Sequence, residues 1–243
     1  MFAANRIFRA SLLCATLSSA APAVAQNTST VFNPEVDGDD RAVELRSTFS
    51  TGDDGDGDAL ATRLHFQEPL SESLRLRLIA QARKPNDGSF EPDFVRAELL
   101  WQLTRDGAPW ATGLRFEAMA RNGARPDEVG LHWVNQFRPA ENLRLRAHVY
   151  FGRQFGTRGL DGLRMTSRAS IKYDFGAVGA GFEHYASYGS TAEFLPLRRQ
   201  SHDFGPTVSF DVADDLAINA GLLFGMTEAS DKLQLRFTIA KAL

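Results

Sequence analysis

The chain is almost without cysteine: its 243 residues hold one, Cys14. That residue follows Leu12-Leu13, with no small residue immediately before it of the kind a lipoprotein cleavage site needs, so lipidation is not expected. A long hydrophobic run is missing as well. The longest apolar stretch, Ala10 to Ala21, is interrupted by Thr16, Ser18 and Ser19 and is too short for a spanning helix, which needs about 20 residues. A helical membrane protein is thereby excluded. A basic excess is also absent. The formal charge is -3, and nucleic acid is not an expected partner. Tyrosines number four against eighteen phenylalanines, and the placement of the phenylalanines proves informative.

The first residues carry the marks of export. Arg6 and Arg9 form a basic start, the apolar stretch follows, and Ala23-Val24-Ala25 fits the small-x-small cleavage rule. A signal peptide over 1–25 is expected, with the mature chain starting at Gln26 and free of cysteine, which excludes disulfides and thiolate metal sites. Residues 26–40 are polar and acidic (Asp37-Gly38-Asp39-Asp40) and read as a flexible periplasmic lead-in. Residues 41–243 form the remaining domain.

Within that domain the pattern is strict alternation, the mark of strands with one apolar face. Val95, Ala97, Leu99, Trp101 and Leu103 share a face opposite Arg96, Glu98, Leu100 and Gln102. Leu143, Leu145, Ala147, Val149 and Phe151 oppose Arg144, Arg146, His148 and Tyr150. Leu233, Leu235, Phe237 and Ile239 oppose Gln234, Arg236 and Thr238. The pattern repeats over twelve segments of about ten residues, the length a tilted transmembrane strand needs. The links alternate too. Glu68–Ser73, Thr104–Pro109, Arg138–Asn142, Gly176 and Ala213–Asp215 are short, whereas Lys84–Asp93, Gly156–Gly162 and Gly189–Gln200 are mostly longer. The expected fold is therefore all-β: a transmembrane antiparallel up-and-down β-barrel of about twelve strands, with both ends periplasmic.

A soluble barrel would carry the same period with its faces reversed. Here the polar face collects Arg, Glu and Gly, and aromatics sit near strand ends (Trp101, Trp110, Trp133, Phe151, Tyr173, Phe224), as in interfacial girdles. Outer-membrane lipid is the expected surrounding. The terminal strand, with Phe237 and Ile239 at alternate positions, resembles the C-terminal signal read by the outer-membrane assembly machinery, though Lys241 and Leu243 depart from its usual terminal phenylalanine. The segments Gly205-Pro206-Thr207-Val208 and Gly221-Leu222-Leu223-Phe224-Gly225-Met226-Thr227 resemble the ends of Gram-negative porin and transporter barrels of the phenol-degradation MetA-like group. That resemblance implies an outer-membrane location and a transport role.

The inward phase is rich in arginine: Arg46, Arg63, Arg75, Arg77, Arg96, Arg115, Arg144, Arg146, Arg164, Arg168 and Arg236, with Lys172. Acidic residues of that phase include Glu98, Glu117 and Glu183. Such a face suits a passive, porin-like channel for small anionic solutes. The competing reading is a non-conducting structural or interaction barrel whose arginines pair with those acids and fill the lumen. A barrel hydrolase is the weakest reading, because no serine falls in a nucleophile motif and His65, His132 and His148 lie on different strands. No cofactor and no catalytic residue are expected. His184 and His202 should face each other near the extracellular rim, where they could bind a transition metal or simply sit at the interface. The run Asp53–Asp58 is not an EF-hand, since Ala59 stands in place of its glycine and His65 in place of the closing Glu.

Overall fold

A computed structural model describes residues 29–38, 41–51, 59–84, 88–105 and 107–243. The signal-peptide stretch 1–25, with Cys14, and the acidic run Asp53–Asp58 lie outside the described residues. The chain forms twelve strands: β1 (Ala42–Thr51), β2 (Ala59–Ser71), β3 (Leu74–Lys84), β4 (Glu91–Gln102), β5 (Trp110–Arg121), β6 (Asp127–Ala140), β7 (Leu143–Phe155), β8 (Arg164–Asp174), β9 (Val178–Ser190), β10 (Ser201–Ala213), β11 (Leu216–Gly225) and β12 (Leu233–Ala242). Each pairs antiparallel with its neighbours in sequence, and β1 pairs with β12 from Ala42↔Ala242 to Thr51↔Leu233. The sheet is a closed barrel with no free edge, which is what a backbone in hydrocarbon requires.

The expected phase holds. In β4, Val95 and Trp101 are exposed while Arg96, Glu98 and Gln102 are buried. The exterior presents Leu45, Leu64, Phe66, Leu78, Phe116, Leu131, Phe151, Ile171, Phe182, Phe204, Phe224, Leu235 and Phe237, each more than a third exposed. A soluble monomer does not display an apolar surface of this extent, and a bilayer-spanning barrel must. The inside-out partition is plain in the largest buried groups, which include His65, His132, Gln136, Gln234 and Glu128.

Strand ends differ from expectation in instructive places. The strand β2 continues through Pro69, and β6 through Pro139 to Ala140, where shorter segments were expected. Both prolines lie at register irregularities, between Pro69 and Ser71 and between Phe137 and Ala140. A bulge tolerates a residue that has no N–H for the ladder. On one end of the barrel β2–β3, β6–β7 and β10–β11 are joined by two-residue turns; the opposite end carries the longer loops, including 156–163 and 191–200.

The expected lead-in is corrected in part. Residues 29–38 do not hang below the barrel but lie inside it, with Val31, Phe32 and Val36 each no more than 7% exposed. They enter from the short-turn end, beside the start of β1. The polar composition of the stretch concealed the three apolar side chains that dock it.

Candidate functional site

The site is the lumen, and β4 and β5 show how the sequence builds it. Their register sets Glu98 directly opposite Glu117. Like charges across a ladder repel, so the pair needs cations on the diagonal. Arg96 and Arg115 fill those positions. Arg96 reaches Glu98 at 2.9 Å and Glu117 at 3.4 Å; Arg115 reaches the same two carboxylates at 3.2 and 3.4 Å. His132 Nε2 joins from β6, 2.5 Å from Arg115 Nη2 and 3.0 Å from Glu117 Oε2. All five side chains are at least nine-tenths buried. Above this cluster Arg164 donates to Glu128 from Nε at 3.1 Å and from Nη2 at 2.5 Å. The Tyr150 hydroxyl donates to the same carboxylate, and its ring lies over Gly130 and Gly152, where any Cβ would collide with it. Arg63 donates to Gln81 Oε1 at 2.8 Å, and Arg77 to Gln67 Oε1 at 2.6 Å. Arg75 is buried on the same face. This half of the lumen, from β2 to β6, is filled by ion pairs and charge–amide hydrogen bonds.

The half formed by β7–β12 and β1 is different. Gly181, Ser170, Thr207, Asn219 and Gly221 point inward there and leave a cavity of about 200 Å³. Its charged lining is Arg46, Arg144, Arg146, Lys172 and Arg236 against Glu44 and Glu183. Arg236 donates to Glu183 at 3.0 Å and to the Tyr185 hydroxyl at 2.6 Å; Arg46 pairs with Glu44, and Arg144 with Asp174. Tyr185 shares the inward phase of Glu183 and is buried. A larger groove of about 690 Å³ lies on the exterior among Leu64, Phe66, Ala97, Ala118, Val129 and Phe155, facing lipid rather than the lumen.

The segment 29–38 runs between these halves. Its Phe32 ring sits 3.5 Å from the Arg115 guanidinium, with those of Arg168 and Arg77 at 5.4 and 5.8 Å. Guanidinium over an aromatic face is favourable, more so where water is displaced. The Phe32 N–H donates to His148 Nε2 at 2.9 Å, the Val36 N–H to Gln102 Oε1 at 2.5 Å, and Arg168 to the Thr30 carbonyl at 3.3 Å. Val31 packs on Tyr185 and Leu223, both buried. Glu35 accepts from Arg138 Nη1 at 2.7 Å and from Gln136 Nε2 at 2.8 Å, while its second oxygen also meets Arg138 Nη2.

All the arginines expected in the lumen thus face inward, and Glu98 and Glu117 join two of them in one network. Glu183 belongs to the other half. Three contributors were not expected: Glu128, Arg138 and the segment itself. The signal for the last is Val31, Phe32 and Val36, spaced through an otherwise polar stretch. On the exterior, β9 and β10 do bring His184 and His202 together, Nε2 to Nδ1 at 3.3 Å, with Gln200 Oε1 2.9 Å from His202 Nε2. Among the described residues no cluster of three or more His, Cys, Asp or Glu side chains is placed to hold a metal.

No protein-family model and no curated protein sequence matches the chain. Solved structures do. The NanC porin aligns with 10% identity and a TM-score of 0.63, over 83% of this chain and 100% of that one. The KdgM porin in complex with disordered oligogalacturonate aligns with 9% identity and a TM-score of 0.60, over 83% of this chain and 99% of that one. The COG4313 outer membrane channel from Pseudomonas putida aligns with 13% identity and a TM-score of 0.64, over 87% and 98%. At these identities the likeness establishes a shared barrel fold.

Proposed function

We propose that the chain is an outer-membrane channel of a Gram-negative bacterium, a passive porin-like path for small anionic solutes and not an enzyme. The cavity carries the proposal: five cationic side chains line it against two carboxylates. A narrow lumen of that balance concentrates anions and repels cations. The fold neighbours named as porins or channels support it, and one of them holds an oligogalacturonate, a carboxylate-bearing oligomer. The export signal expected over 1–25 and the resemblance of the last strands to the MetA-like transporter barrels point the same way. The terminal strand, paired on both sides by β1 and β11, is the segment proposed to engage the assembly machinery.

A non-conducting barrel is the rival reading, favoured by the segment 29–38 inside the lumen. Planar-bilayer recording across a salt gradient separates the two. An anion-selective reversal potential is expected from folded, heat-modifiable protein. Absence of any conductance step, including from protein lacking residues 29–38, overturns the channel.

A further inference from the structure

We infer that Arg138 and Gln136 form a carboxylate-binding site at the short-turn mouth of the lumen, occupied by the chain's own Glu35 as a tethered competitor. A free carboxylate solute that takes this site releases the segment 29–38 and opens the path. The inference rests on the channel reading proposed above.

The geometry around Glu35 is that of a ligand site. Its carboxylate lies across the Arg138 guanidinium as a two-point pair, and Gln136 Nε2 adds a third donor at 2.8 Å. Planar two-point recognition of a carboxylate is what arginine does best, and charge assistance makes it stronger than a neutral contact. Gln136 is held for the task. It is 1% exposed, and its Oε1 accepts from Arg146 Nε at 2.5 Å, which points the amide nitrogen at Glu35. Arg146 also lines the cavity. An anion drawn into the cavity by Arg144, Arg146 and Lys172 is therefore one side chain away from the site Glu35 fills. Arg138 keeps 29% of its side chain exposed, so a solute can reach it without unfolding the barrel.

The segment also makes polar contacts with the lumen through its backbone, at Thr30, Phe32 and Val36. Those are made by any sequence. Glu35 gives the docking a chemical identity that a solute can imitate. Nothing in the segment belongs to a strand, and withdrawing it leaves every ladder of the barrel intact. A small dicarboxylate such as malonate has the right donor demand and the size for the cavity.

The test uses the full chain in planar bilayers, in chloride with and without malonate. Wild-type protein is expected to open about tenfold more often with malonate, the ratio one charge-assisted hydrogen bond is worth. E35Q should be open in chloride alone and gain little from malonate, and R138Q should behave alike. A second reading uses N33C, a thiol in a mature chain with no other cysteine: an impermeant maleimide should label it faster when malonate is present. Protein lacking residues 29–38 separates the failures. If it conducts while wild-type opening and N33C labelling ignore malonate, the carboxylate latch is overturned and the channel stands. If it does not conduct at all, the channel reading fails, and the latch with it.

Discussion

The two halves of the lumen use the same residue type to opposite ends. Between β2 and β6, Arg63 and Arg77 meet amides, and Arg96, Arg115, Glu98, Glu117 and His132 pack as a solid. Between β7 and β1, around the far side of the barrel, Arg46, Arg144 and Arg236 also have carboxylate partners, but glycine, serine, threonine and asparagine line the wall around them and space is left over. Arginine count therefore does not decide whether a barrel interior is closed. What decides it is the side chain on the next strand.

The comparison can be broken most forcefully on the packed side. Glu98→Ala removes one of two acids shared by two buried guanidiniums and should cost about 3–5 kcal/mol, the range for stripping one partner from a buried ion pair. The midpoint of heat modification on gels should fall sharply. On the open side, Arg146→Glu combined with Lys172→Glu turns a cavity lining of five cations and two acids into three and four. The reversal potential is expected to shift toward cation selectivity, with the heat-modification midpoint moving far less than for Glu98→Ala. Gly221→Leu is smaller in effect. A Cβ there meets nothing closer than 3.7 Å, so the fold should hold within ~1 kcal/mol. Its side chain would enter the cavity and lower single-channel conductance by roughly half, as a narrowed pore does. Smallest of all is Arg41→Ala. The Arg41–Glu68 pair, at 2.5 Å, is exposed at the short-turn end, where solvent screens it, and the midpoint of urea unfolding is expected to stay where it is.

Alternation was legible in the sequence because a lipid exterior enforces it residue by residue. Val95, Ala97, Leu99 and Trp101 could not have been misread. Register was not legible. The sequence places Glu98 and Glu117 on the inward phase, but only the β4–β5 pairing sets them opposite each other and makes the two arginines bridge both. For the apolar residues of the inward phase, the position was legible but the packing role was not. Ile79 and Met119 alternate with the inward arginines, and with Leu223 they are buried in the lumen, which needs packing as well as charge. The segment 29–38 was hidden by composition: Asn33, Glu35 and Asp37 give it the look of a solvated tail, while Val31, Phe32, Pro34 and Val36 are buried. His184 and His202 were expected directly opposite each other; the β9–β10 register pairs His184 with Phe204 and His202 with Ala186, and the two rings meet on the diagonal.

All three tryptophans of the chain fall on consecutive strands of one sector. Trp101 and Trp133 flank Leu114 in a single cross-strand row, and Trp110 pairs with Phe137 nearby. Each is about half exposed on the exterior, and the Trp110 and Trp133 indole N–H groups are held by Asn135 at 3.2 Å and Thr112 at 2.9 Å. The intrinsic emission of this protein is thus a report from one flank of the barrel. Brominated acyl chains would quench all of it from the same side, and a neighbour docked on β4–β6 would shield it, while events on β9–β12 would leave the spectrum dark to them.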